Sequence, residues 1–176
     1  VAPTAPVAAG MPSAEGSVGL LIVSATEIAG IAPIDGENAK LASRDHNTLQ
    51  FVEMLANHAK FMDAIRVMAF AMGKLTAIEW SLKCVKLASE DGMSKLDTKA
   101  LETVQRWLGD RSDGLRREAY AISQEAEHAT PASWVAMAAF WSEGSMSPPH
   151  PSPPLAPGPT QCAHAATGAI LLAAVA

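Results

Sequence analysis

Few side chains in this 176-residue sequence stand where they could do chemistry together. Its two cysteines, Cys84 and Cys162, are far apart and form no C-x-x-C pair, so neither a zinc site nor a redox motif is encoded. Cys84 lies in a hydrophobic helical pattern and is expected to be a small buried thiol. Glu53, Asp63 and Glu79 fall on separate helices or faces, and no pair of carboxylates has spacing that demands general acid–base work. Glu125, Glu127 and His128 bring metal-ligating types together, but His128 closes a helix, where an imidazolium suits the dipole. The sequence contains no H-E-x-x-H, no G-x-S-x-G and no glycine-rich phosphate loop. An enzyme built on it would have to assemble its site from dispersed residues such as His58, Glu79 and Arg117. The expectation is a non-enzymatic protein with no catalytic residue, no cofactor and no metal.

Binding chemistry is better represented. Trp134, Met137, Phe140 and Trp141 recur on one helical segment, directly before a run of prolines between Gly144 and Pro159. Prolines at that density exclude a helix or a central strand and favour an extended polyproline II strap. Aromatic side chains beside such a segment can grip it, as aromatic grooves grip PxxP ligands. At helical spacing the same residues also read as ordinary core. The two readings merge if the strap packs on the chain's own tryptophans, with Pro148, Pro149, Pro153 and Pro154 as its contacts. That intramolecular clamp is expected. A free proline ligand for a partner's groove is the weaker reading, because such tracts more often act as spacers.

The elements that must position these residues read as all-α. Residues 1–17 form an Ala/Pro-rich tail, 18–143 a helical body, 144–160 the strap and 161–176 an apolar C-terminal helix. The body resolves into about six antiparallel helices with short connections. Ser24-Ala25-Thr26-Glu27 is a capping box for a short helix through about Gly30, and 34–47 is polar and irregular with room for one helical turn. Asn47 or Thr48 caps a helix with Leu49, Val52, Leu55 and Ala56 inward. Phe61, Ile65, Met68 and Met72 mark a second, central helix that Gly73 ends. Thr76 and Glu79 form a capping box for a third, with Trp80, Cys84 and Leu87 as one of its buried stripes. Asp97 or Thr98 caps a fourth, which Gly109 stops. Ser112 opens a fifth, with Arg116 and Arg117 facing out, and Thr130-Pro131 starts the aromatic helix.

Composition limits the partners. A net charge of -5 argues against non-specific nucleic-acid binding. The C-terminal apolar stretch falls short of the ~20 residues of a membrane helix and lacks flanking Lys or Arg, so a soluble, cytoplasmic protein is expected. Ala176 carries no helix-stop signal, which leaves a longer natural chain, and with it a membrane contact, open. The Ala163–Ala176 segment is hard to leave in water, and docking on its own body is expected ahead of exchange with another subunit.

Four distinctive blocks lie between Phe51 and Ser145. They are Phe51-Val52-Glu53-Met54-Leu55, Asp63 to Met72 (D-A-I-R-V-M-A-F-A-M), Ala77 to Cys84, and Thr130 to Ser145 ending in Phe140-Trp141-Ser142-Glu143-Gly144-Ser145. With the prolines and Ala-rich helix that follow, they resemble a bacterial family with a domain of unknown function, found in type VI secretion gene neighbourhoods. Glu143 stands where that family usually has a second glycine, and the strap here is more irregular. The resemblance implies no activity and no catalytic residue. It implies an accessory, chaperone-like or adaptor protein whose partner is a secretion component or an effector, with homo-oligomerisation open.

Overall fold

The computed structural model describes residues 23–89, 92–148 and 152–175. Among these the chain is all-α, with nine helices and no strand: α1 (Ala25–Ala29), α2 (Gly36–Ala39), α3 (Thr48–Asn57), α4 (Phe61–Ala71), α5 (Lys74–Ala88), α6 (Lys95–Asp110), α7 (Asp113–Glu125), α8 (Pro131–Phe140) and α9 (Gln161–Ala173). Among the described residues the body holds six helices of ten residues or more, α3 to α8, preceded by α1 and α2, pieces of only five and four residues. The tail at residues 1–17 lies outside the described residues.

Local chemistry sets most helix starts. Ser24, Asn47 and Thr130 each cap a helix, with Glu27, Gln50 and Ser133 reaching back to close reciprocal boxes. Ser112 caps α7 by accepting from the Leu115 amide. Two expected starts differ. Helix α5 begins at Lys74 on Gly73, whose φ of -60° is ordinary extended backbone, so Thr76 and Glu79 lie inside the helix and form no box. Helix α6 is capped by Ser94, which accepts from the Asp97 amide, because the Asp97 carboxylate is engaged by Ser94 Oγ and Thr130 Oγ1. It runs through Gly109 and stops at Arg111, in left-handed backbone at φ 59°.

Two hydrophobic clusters meet in the fold. One gathers Ile28, Phe51, Leu55, Val67 and Phe70 from α1, α3 and α4. The larger joins α5 to α9 around Ile78, Leu101, Trp107, Ile122 and Val135. Expected inward faces are rotated in α3 and α4, and on α5 only Leu87 turns outward, since Ile78, Leu82 and Val85 are buried. Leu49, Phe61 and Leu87 are exposed, while Thr48, Phe51 and Leu55 line the inner face of α3 and Ala64, Val67 and Phe70 that of α4. Helix α4 is apolar nearly all round, and periodicity alone cannot choose its face.

Helix α9 ties the clusters together. Cys162, Ala165, Ala166, Ala169 and Ala173 enter the larger core, Ala163 packs on the smaller one, and His164 meets Phe70 edge-on at 4.9 Å between ring centroids. Its small residues let it lie close. A Cβ on Gly168 would stand 3.3 Å from Cε3 of Trp134, so glycine there admits the indole of α8.

Candidate functional site

The densest polar cluster lies where α8 gives way to the strap. Arg116 is 1% exposed, not solvent-facing as its sequence context suggested. Its Nε and Nη2 donate to Asp113 Oδ1, its Nη1 to the Phe140 carbonyl at 2.8 Å, and its Nη2 also to the Ser145 carbonyl at 2.8 Å. Arg117 donates to Asp113 Oδ2 and to the same Ser145 carbonyl. Hydrogen bonds from Arg117 and then Arg116 hold the Asp113 carboxyl below the usual carboxylate range. The guanidinium also lies 4.8 Å over the Phe140 ring. A buried cation is thereby matched by one carboxylate and two carbonyls, which is what makes its burial tolerable.

Beyond this knot opens a groove of about 360 Å³, walled by Tyr120, His128, Trp134, Met137, Phe140, Trp141 and Met146. Tyr120 stacks on Phe140 at 4.1 Å, which fixes one wall. Met137 and Phe140 are buried, whereas Tyr120, Trp134, Trp141 and Met146 are half-buried and present surface to solvent. Of the expected contacts, Trp134, Met137, Phe140 and Trp141 therefore share one groove. None of the described prolines lines that groove, Pro148, Pro153 and Pro154 being exposed, and Pro149 lies outside the described residues. Met146 carries the strap into the groove, held by its amide to the Leu155 carbonyl at 2.8 Å, while the Leu155 amide bonds Ser145 Oγ.

Other sequence candidates stay apart. His58 bonds the Met54 carbonyl of its own helix, Glu79 is exposed on α5, and Arg117 serves the knot, so no hydrogen bond links the three. Glu125 and Glu127 are exposed, and no three His, Cys, Asp or Glu among the described residues are placed to hold an ion. Cys84 is half-buried, and Cys162 is the enclosed thiol, pushed up to about 12 by burial. Tyr120, His128 and Met146 were missed as groove residues. Tyr120 is the only tyrosine and stands four residues after Arg116, a spacing that puts both on the side of α7 facing α8.

Residues 51–176 match the model of a family of unknown function, DUF6931. The chain belongs to that family. No curated protein and no solved structure matches it. The DUF6931 match takes in the Arg116 knot, the groove and α9, and begins at Phe51 inside α3. Residues 23–50 lie before it, yet Ala25, Ile28 and Ala32 close the smaller core over Phe51 and Leu55. Glu143, the departure from the resemblance, pairs with Arg111 at 2.6 Å while Arg111 lies 4.2 Å over Trp107. No helix among the described residues is long and apolar enough to cross a membrane.

Proposed function

We propose that this protein is a non-enzymatic accessory protein that holds an apolar segment of a partner protein in the groove between α7 and α8. The observation that carries this reading is the groove itself, in which Tyr120, Trp134, Trp141 and Met146 remain half-open although α7 and α8 are packed into the core behind them. Partly exposed Trp, Tyr and Met side chains are what protein-binding surfaces are enriched in. Their rigid backing keeps the entropy cost of binding low. The resemblance to proteins from type VI secretion neighbourhoods directs the choice of partner toward an apparatus component or an effector, with the accessory protein acting as adaptor or chaperone. The alternative, a small enzyme using His58, Glu79 and Arg117, draws no support from an arrangement in which His58 and Arg117 bond separate groups and Glu79 is exposed on α5.

Co-purification tests this. Tagged full-length protein and its Trp141→Ala variant are expressed at native level, and their eluates are compared by mass spectrometry. A stoichiometric secretion component or effector is expected with the first and not with the second, at unchanged circular dichroism. The same eluate from both would remove the groove from the binding surface.

A further inference from the structure

Ser123 is fully buried and has one hydroxyl proton, which it donates to the Ser133 carbonyl at 2.8 Å. Its Oγ also lies 2.8 Å from Nδ1 of His128, so the proton in that second contact comes from the imidazole. A neutral ring is then held as the Nδ1–H tautomer, with its lone pair on Nε2. The backbone enforces the same placement. Glu127 and His128 are both left-handed, and their amides bond the Gln124 and Ser123 carbonyls in a Schellman closure of α7. The ring lines the aromatic groove, and its Nε2 is neither bonded to protein among the described residues nor shut away from solvent.

The end of α7 beside this ring is acidic. Arg116 and Arg117 lie toward the other end of the helix, where they share the single carboxylate of Asp113. Glu125 and Glu127 are exposed and pair with no cation among the described residues. The walls meanwhile accept a long unbranched apolar chain, since Met146 already occupies one side.

We propose that His128 is the polar anchor of the groove. The occupant is an apolar segment of a partner protein that donates an N–H to Nε2 and carries Lys or Arg beside its apolar residues. This rests on the partner-binding reading above and names the chemistry of that partner. An occupant without a donor excludes water from Nε2 and leaves it unmatched, so the anchor selects against it. An acidic segment is repelled by Glu125 and Glu127 before it docks.

Nuclear magnetic resonance on the full-length chain, labelled at histidine nitrogens and methionine methyls, tests each part. The free protein is expected to show the Nδ1–H tautomer at His128. Acetyl-Lys-Leu-Met-Lys amide is expected to shift His128 Nε2 and the Met137 and Met146 methyls, and to bind about tenfold more tightly than its Glu-Leu-Met-Glu counterpart. His128→Phe is expected to lose about tenfold in affinity for the basic peptide, while His128→Asn, which tolerates left-handed backbone and keeps an acceptor, retains most of it. An Nε2–H tautomer, equal binding of the two peptides, unchanged binding by His128→Phe, or no binding of the basic peptide overturns the proposal. Each of these leaves the groove's role to be decided separately by co-purification with Trp141→Ala.

Discussion

The Arg116 guanidinium occupies the space that a side chain on Gly144 would need. A Cβ there would lie 2.9 Å from Nη2, and Gly144 itself sits in left-handed backbone at φ 68°. The buried cation and the glycine are therefore one device. The turn must pass close enough for Arg116 to reach the Phe140 and Ser145 carbonyls, and only a residue without a side chain can make that pass.

Gly144→Ala is accordingly expected to destabilise by at least the roughly 1–2 kcal/mol of a left-handed non-glycine residue. Arg116→Lys keeps the charge but loses the planar fork, and is expected to cost about 2 kcal/mol. Urea denaturation at neutral pH reads both. If Gly144→Ala melts with the parent, the guanidinium yields freely and the knot is not a constraint.

Glycine is absent from two other turns that would favour it. Ala59 and Glu127 stand at the left-handed positions after α3 and α7, at φ 57° and 51°, and both turns carry the Schellman pair of hydrogen bonds. Ala59→Gly and Glu127→Gly are each expected to stabilise by about 0.5–1 kcal/mol, the left-handed strain relieved less the extra chain entropy. Ala121→Gly, at an exposed position inside α7, should cost about 1 kcal/mol. Thermal melts that gave all three the same sign would contradict this backbone assignment.

These positions also show what sequence can and cannot carry. The caps at Ser24, Asn47, Ser112 and Thr130 were readable because both partners lie within three residues. The Thr76–Glu79 box met the same pattern and failed, since Gly73 starts α5 a turn earlier. Arg116 was misread because its partners at Phe140 and Ser145 are backbone carbonyls, which leave no trace in side-chain pattern. The aromatic residues of α8 were visible as a group. Tyr120 and His128 were not, because their place in the groove depends on how α7 packs across α8.

Asp63 controls a pH response near the other core. Burial by itself raises its pKa, but hydrogen bonds from Asn38, Arg66 and the Asp35 amide outweigh it and hold the carboxyl below its ordinary 3.8. A depressed folded value contributes stability that is present above the unfolded value and lost as pH falls through the folded one. Stability should therefore drop as pH is lowered below about 4, and Asp63→Asn should be weaker at pH 7 with a shallower acid slope. Equal acid slopes in the two proteins would assign the acid response to other carboxylates, such as Asp113 and Glu27.

Trp134 bears on α9. Its ring lies against Gly168 in the middle of that helix, while Pro148, Pro153 and Pro154 are exposed. Trp134→Ala is therefore expected to loosen α9 instead of releasing the strap. Its cost should fall near the low end of the 3–5 kcal/mol seen for large buried aromatics, because the indole is only half-buried. Gly168→Leu attacks the same contact from the other side and is expected to cost roughly 1–3 kcal/mol by overpacking. Hydrogen exchange separates the outcomes: both variants should lose protection along α9, while the Met146 and Leu155 amides of the strap stay as they are. Loss of protection confined to Met146 and Leu155 would mean that Trp134 holds the strap after all.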